Sequence, residues 1–198
     1  MLYRVLLLSI ISTLVGCSLT KPMPTPTIAK YTLNQMSPIS KIPNNSQKDL
    51  VVSSMKSNVG YNTTDMLYMT EPFRLQAFAK NAWNAAPASM LQALLIDSLR
   101  NSHLFRVVLS APSTAQTEYR LDTTLLKLQQ EIFGARAHIR LTVDASVIKT
   151  RTNAVIASQR FEAVVPTAAN PKDGVIAANR AALQVLDQLV RFTDESTH

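Results

Sequence analysis

An alternation of apolar and polar residues over positions 137–147 constrains the fold of this chain more than any other feature. Alanine, isoleucine, leucine and valine side chains occupy every second position. The positions between them hold His138, Arg140, Thr142, Asp144 and Ser146. Because neighbouring side chains of a β-strand point to opposite faces, the pattern predicts a strand with one buried and one wet face.

The flanking segments supply strands that can pair with this one. Residues 155–165 alternate less regularly, and the polar turn 150–153 joins the two segments as a hairpin. That hairpin places Arg160 and Glu162 on the wet face. Further strands are predicted at 50–52, 66–70, 73–80, 105–109 and 119–132.

Two amphipathic helices are predicted, and they can cover the apolar face of the sheet. Pro87 can stand in the first turn of a helix, and leucines recur at helical spacing until Asn101-Ser102. A second apolar stripe runs from Val175 to Leu189, preceded by Asp173 and Gly174. The order of elements predicts an α+β fold. In detail, we expect a two-layer sandwich, a mainly antiparallel sheet with both amphipathic helices on one face.

The first 16 residues have the features of a secretion signal. Arg4 supplies a positive start, and residues 5–15 form an apolar run too short to span a bilayer. The run ends in Leu14-Val15-Gly16-Cys17, which matches a bacterial lipobox. We therefore predict a lipoprotein signal peptide at 1–16, with Cys17 as the lipidated residue that carries palmitate-type acyl chains. The alternative is a buried cysteine behind an ordinary signal.

The region after the lipobox predicts a tether. Five of the ten prolines lie between residues 18 and 48, and such a stretch is extended and buries little surface. We assign 17–48 to the lipidated cysteine and tether, with a first strand at 30–33, and 49–192 to the folded domain. Ser18 favours the periplasmic face of the outer membrane, with the outer leaflet of the inner membrane as the alternative.

The sequence shows no grouping of residues that would carry catalysis or bind a metal. His103, His138 and His198 lack metal-ligand spacing, and neither a nucleophile elbow nor a phosphate-binding loop is present. The net charge of +7 is scattered rather than clustered, which argues against nucleic acid as a partner. We expect no enzymatic activity and no cofactor.

Several segments together resemble the ABC-type transport auxiliary lipoproteins. Residues 60–68 look like that family's Y-x-x-x-x-M-x-Y stretch. Residues 78–91 resemble its F-A-x-N-x-W block followed by P-x-x-M-L, and 121–130 its L-x-x-x-L-x-x-L-x-Q strand. Residues 161–163 and 174–189, including Ala178-Asn179, resemble its closing strand and helix.

The resemblance implies a periplasmic, non-catalytic subunit of a lipid transport system. Its partners would be an Mce-domain protein, a permease and an ATPase, and its cargo would be phospholipid or another hydrophobic compound. A structural or assembly lipoprotein of the outer membrane, not tied to a transporter, is the alternative. A homo-oligomer could form by strand addition at an exposed sheet edge.

Five residues are candidates for partner contacts. Three of them belong to the segments that carry the resemblance, and two lie on the wet strand face. For the aromatic residues, packing inside the domain is the competing interpretation, and for the asparagine it is a turn. The candidates are Tyr68, Asn81, Trp83, Arg140 and Arg160.

Overall fold

The computed structural model describes residues 27–34 and 48–198. The predicted signal peptide, Cys17 and most of the predicted tether lie outside these ranges. A strand is present close to the expected 30–33, and it pairs with the domain. The described part of the tether is therefore packed on the fold.

Nine strands and two helices follow one another in the described residues. The strands are β1 (Ala29–Tyr31), β2 (Asp49–Val52), β3 (Lys56–Ser57), β4 (Asp65–Met69), β5 (Leu75–Trp83), β6 (Val107–Ser110), β7 (Tyr119–Phe133), β8 (Arg136–Lys149) and β9 (Ala154–Pro166). The helices are α1 (Pro87–Ser102) and α2 (Pro171–Glu195). β3 was not predicted, because two residues are too few to show a periodic pattern.

Helix α2 begins one turn earlier than the apolar stripe predicted. Pro171 occupies the first turn, and the side chain of Asn170 accepts a hydrogen bond from the Asp173 N–H at 3.0 Å. This is an ordinary N-cap followed by a proline that is pre-set for helical φ. Asp173 and Gly174 therefore lie inside the helix rather than before it.

The strands form one open sheet of mixed direction. The long strands β7, β8 and β9 pair antiparallel in sequence order. The other edge of β7 is shared by β2, β3 and β4, which lie end to end and run parallel to it. β6 extends the sheet beyond β2, and β5 and then β1 extend it beyond β4. The sequence predicted a mainly antiparallel sheet, and the pairings of the long strands are antiparallel, but the parallel neighbours of β7 were not predicted. Side-chain alternation reports the faces of a strand and carries no information on the direction of its neighbour.

One hydrophobic core joins the long strands to both helices. Five of the six alternate residues of β8 that were predicted to be buried belong to it, together with leucines of α1 and the alanine-rich side of α2, whereas Ala137 is only partly buried. The two helices contact each other, and α2 lies against β8 and β9. The α+β class is confirmed, with strands dominating. The finer prediction, a two-layer sandwich with both helices on one face, stays a prediction.

A close contact between β7 and α2 sets the position of the helix on the sheet. A Cβ atom at Gly174 would lie 2.7 Å from Oε1 of Gln130. The Nε2 of this buried glutamine donates to the carbonyl oxygens of Ala168 at 2.8 Å and Asn170 at 3.3 Å, just before the helix. Glycine at 174 thus leaves room for the side chain that holds the β9–α2 connection.

Candidate interaction surface

The wet face predicted for β8 carries a network of polar side chains around one buried carboxylate. Glu131 of β7 lies opposite His138, and its residue surface is only 8% exposed. The Nε of Arg140 and the Nε2 of Gln129 each donate to Glu131 Oε1 at 2.8 Å. The Nε2 of His138 lies 2.7 Å from Glu131 Oε2. His138, expected on a solvated face, is therefore half-buried against a carboxylate.

The network holds Glu131 in its ionised form. Burial raises the pKa of this carboxyl, but hydrogen bonds from Arg140, Gln129 and His138 outweigh burial and bring the pKa down to about 2. The hydrogen bond to Glu131 in turn raises the pKa of the Arg140 guanidinium. Glu131 and Arg140 therefore form a permanently ionised pair. The Glu131 carboxylate is unsuited to general acid–base chemistry near neutral pH, because its pKa lies far below that range.

Tyr61 extends this network towards the loop before β4. Its hydroxyl donates to Gln129 Oε1 in a short hydrogen bond. Burial, and then the negative charge of Glu131, raise the pKa of the Tyr61 hydroxyl. The residue thus covers one side of the network and remains a hydrogen-bond donor at neutral pH. It belongs to the first segment that carries the family resemblance.

A second layer of charge pairs lies nearer to solvent on the same face. The Nη1 of Arg140 donates to Glu162 at 2.6 Å, and the Thr142 hydroxyl donates to the same carboxylate at 3.1 Å. The Nε of Arg160 donates to Asp144 at 2.7 Å, which lowers the pKa of that carboxyl. The hairpin register therefore places both candidate arginines on one face, each paired with carboxylates of its own sheet.

The buried carboxylate was not among the sequence candidates, because a β-bulge conceals it. The register between β7 and β8 shifts between Leu125 and Lys127. Before the bulge, odd-numbered residues of β7 face the core, and after it Gln129 and Glu131 face the polar side. A simple alternation assigns these two side chains to the wrong face. The run of three consecutive polar residues at 129–131, which breaks the alternation of the strand, was the available signal.

Trp83 and Asn81 occupy positions that favour packing over partner contact. Trp83 is the last residue of β5, is only 4% exposed and belongs to the hydrophobic core. Its backbone N–H donates to the carbonyl oxygen of Thr64 at 2.7 Å. Asn81 lies within β5 opposite Ala29 of β1, so it is a strand residue and not the turn residue of the competing interpretation. The Trp83 indole offers almost no surface to another protein.

Tyr68 is half-buried on β4. Its ring stacks on that of Phe78, with the centroids 4.3 Å apart. Its hydroxyl donates to Oε1 of Gln76 at 2.8 Å. Both contacts join β4 to β5, so they stabilise the hairpin and leave only part of the ring accessible.

Asn179 fastens the segment after β1 to α2. Its Oδ1 accepts from the Asn34 N–H at 2.9 Å, and its Nδ2 donates to the Thr32 carbonyl oxygen at 3.2 Å. Leu33, between these two residues, is buried in the core. The part of the described chain nearest to the predicted lipid anchor is thus held by the main helix. These contacts give a structural role to Asn179, which belongs to a segment that carries the family resemblance.

Strand β9 presents an open edge. It pairs with β8 and with no other strand of the described chain. Three of its apolar side chains, Val155, Ile156 and Val164, are exposed. A strand of 13 residues with unpaired backbone groups and exposed apolar side chains is a site where another chain can add.

The described residues offer neither a metal site nor a large interior cavity near the core candidates. No group of three or more His, Cys, Asp or Glu among them could hold a metal ion. In the same ranges, no helix combines the length and the apolar character required to cross a bilayer. The cavity beside Trp83 and Gln130 measures about 10 Å³, which is the space of a single water and too small for an acyl chain.

Comparison with known proteins identifies the family. A crystal structure of a Xanthomonas campestris protein is 18% identical, covers 87% of this chain and 94% of its own, and has a TM-score of 0.71. A crystal structure of an uncharacterized protein is 12% identical, with coverages of 84% and 98% and a TM-score of 0.63. At these identities the likeness shows the fold alone. A search of curated proteins found no match. The model of the family described as "ABC-type transport auxiliary lipoprotein component" matches residues 31–190, and the chain therefore belongs to that family.

Proposed function

We propose that this chain is a lipid-anchored, non-catalytic subunit of an ABC/Mce-type transport system, and that it docks with an Mce-domain protein. The family match over residues 31–190 is the observation that carries the proposal, because an auxiliary component implies an ABC transport system as its partner. The cargo we assign is phospholipid. The location we assign is the periplasmic face of the outer membrane, with Cys17 as the anchor and the inner-membrane outer leaflet as the alternative.

The polar face supports a binding role. Its most buried charged group, Glu131, stays ionised because Arg140, Gln129 and His138 donate to it. Its outer charges are paired within the sheet, as Arg160 is with Asp144. A rigid surface of paired charges can orient an approaching partner, and its individual groups are not free to act as acids, bases or nucleophiles.

We assign the docking surface to the open edge of β9 together with the adjoining polar face. Exposed apolar residues on that edge would supply contact area, and unpaired backbone groups would supply hydrogen bonds. The Arg160–Asp144 pair beside the edge would then set the register of the incoming chain. A second copy of this protein is the alternative occupant and would give a homo-oligomer.

A pull-down of the affinity-tagged lipoprotein from detergent-solubilised envelopes tests the proposal. Wild type should recover an Mce-domain protein together with a permease and an ATPase. Val164→Lys should lose them, since a lysine on an edge strand opposes strand addition. Ile176→Lys on α2 is the matched control, because Val164 and Ile176 are 45% and 47% exposed.

Three outcomes separate the alternatives. Recovery of an outer-membrane assembly machine without transporter subunits would favour a structural or assembly lipoprotein. Recovery of the transporter with both lysine variants would move the docking surface away from β9. Loss of oligomer mass in Val164→Lys, with the transporter retained, would assign the edge to a second copy.

The anchor has a test of its own. Cys17→Ala should block lipidation and leave an unprocessed precursor, visible as a larger band that cannot be labelled with radioactive palmitate. A variant that is still processed and remains membrane-bound like wild type would overturn the assignment of Cys17 as the lipidated residue.

A further inference from the structure

The hairpin between β4 and β5 displays an aromatic residue in an unfavourable conformation. Phe73 is fully exposed, and its φ angle is +67°. A left-handed backbone is uncommon for a bulky side chain, and an exposed phenyl ring adds the cost of apolar hydration. Local folding favours glycine or asparagine at such a turn position. Strained residues of this kind cluster at binding sites.

The β7–β8 turn lies beside this hairpin and carries a second exposed aromatic. β4 runs parallel to β7 with Met69 opposite Glu131, so the ends of both strands reach the same end of the sheet. Phe133 and Leu75 are exposed there. We call this group the aromatic tip. It consists of Phe73, Arg74, Leu75, Phe133 and Arg136.

The two turns that form the aromatic tip, residues 70–74 and 133–136, hold two arginines and one glutamate, so they carry one positive charge in excess. Arg74 pairs with Glu71 at 2.7 Å, and both side chains are more than half exposed, which makes the pair weak. Arg136 has no ion pair within the described ranges. Exposed phenylalanine rings flanked by arginine are the composition that suits the boundary between headgroups and acyl chains of an anionic bilayer.

The chain enters the fold from the end of the sheet that bears the tip. β1 is parallel to β5, with Ala29 opposite Asn81, and β5 starts at Leu75. Six residues of strand, or roughly 20 Å, therefore separate the start of β1 from the tip. The twelve residues from Cys17 to Ala29 can span at most about 43 Å. A lipid on Cys17 can thus lie in the plane of the tip.

We infer that the aromatic tip docks on the bilayer that holds the acyl chains of Cys17. Phe73 and Phe133 lie at headgroup level, and Arg74 and Arg136 contact anionic phosphate groups. The inference rests on the lipid anchor in the proposed function. Docking stands the long strands upright on the membrane and presents the far end of β7, about 45 Å away, to the periplasm.

Tryptophan fluorescence in vesicles tests this inference. The mature lipoprotein with Phe73→Trp is reconstituted into phosphatidylcholine vesicles containing phosphatidylglycerol, with bromine placed near the glycerol end of the acyl chains. Val155→Trp is the matched control, because Val155 is exposed at the opposite end of the sheet. The buried Trp83 is common to both proteins, and its wild-type emission is subtracted.

The tryptophan at position 73 should shift to the blue and be quenched, and the one at 155 should show neither effect. Adding Arg136→Gln should reduce the ratio of docked to undocked tip about fivefold in vesicles with phosphatidylglycerol, and leave it unchanged in pure phosphatidylcholine. In a Phe133→Trp protein, Phe73→Gly should reduce quenching without lowering the melting temperature, since glycine accepts the positive φ.

Each contrary outcome has one meaning. A protein that floats with the vesicles while the tryptophan at 73 stays unquenched overturns the docking of the tip and leaves the anchor intact. Equal quenching at 73 and 155 overturns the upright orientation, and with it the tip as the docking surface. A blue shift of the tryptophan at position 73 only when the transporter is present would overturn docking on the bilayer and assign the tip to a protein partner. A protein that does not float fails the proposed anchor, and the inference fails with it.

Discussion

Replacing Glu131 by glutamine removes the negative charge on which Arg140, Gln129 and His138 converge. The pKa of the carboxyl is 4.5 in an unstructured chain and about 2 in the fold. This lowering of the pKa corresponds to roughly 3 kcal/mol of stability at neutral pH. Because the group is buried, removing it also leaves Arg140 with only its outer carboxylate partner. We expect Glu131→Gln to lose about 2–4 kcal/mol.

The same group predicts the direction of the acid response. Its pKa in the fold lies below its unfolded value, so its contribution is fully present above pH 4.5 and is lost as the pH falls towards 2. Wild type should lose about 3 kcal/mol over that window from this carboxyl alone. Glu131→Gln should be less stable than wild type at neutral pH. Its free energy of unfolding should then lack this part of the decrease with falling pH, which we call the acid slope.

Urea unfolding followed by the fluorescence of the buried Trp83 measures both effects. A loss of 3 kcal/mol should also lower the melting temperature by roughly 6–12 °C for a domain of this size. Asp144→Asn is the matched control, because Asp144 pairs with an arginine on the same face but in a more exposed position. It should lose less than about 1 kcal/mol. If Glu131→Gln costs no more than the control, or keeps the acid slope of wild type, the buried network does not stabilise the fold as described.

Three further substitutions test individual contacts. Gly174→Ala should lose about 1 kcal/mol because its Cβ displaces Gln130, yet be neutral or stabilising in a Gln130→Ala background, where only the helix propensity of alanine remains. Asn179→Ala should lose about 1–3 kcal/mol and speed amide hydrogen exchange in β1, with exchange in β8 unchanged. Arg140→Glu should lose about 3–5 kcal/mol in urea unfolding, and Arg160→Glu should change the stability far less, because of these two residues only Arg140 pairs with a buried carboxylate. Equal losses for the two arginines would contradict this difference in burial.

The contrast between Arg140 and Arg160 also changes how the polar face can be probed. From the sequence, the two residues look alike, and reversing both charges is a natural test of partner binding. In the structure, Arg140→Glu would face Glu131 and Glu162 at close range, so a loss of binding would report unfolding. Arg160, whose partner is a more exposed carboxylate, is the residue whose charge can be reversed safely.

The sequence by itself determined the long elements, because their signal is local. Side-chain alternation defines the faces of β8, and the leucine spacing after Pro87 defines α1. These patterns arise from the two-residue period of a strand and the 3.6-residue period of a helix, which neighbouring residues express without help from the rest of the chain. The family resemblance was local in the same sense, and it marked Gln130, Gly174 and Asn179 without showing their contacts.

Only the tertiary structure decided what those elements do together. The direction in which β2, β3 and β4 lie along β7, and the bulge that turns Glu131 to the polar face, depend on pairing between distant residues. The burial of Trp83 and the placement of Phe73 and Phe133 at the same end of the sheet depend on it as well. Non-local pairing sets which side chains share a face or an end, and periodicity along the chain cannot report it.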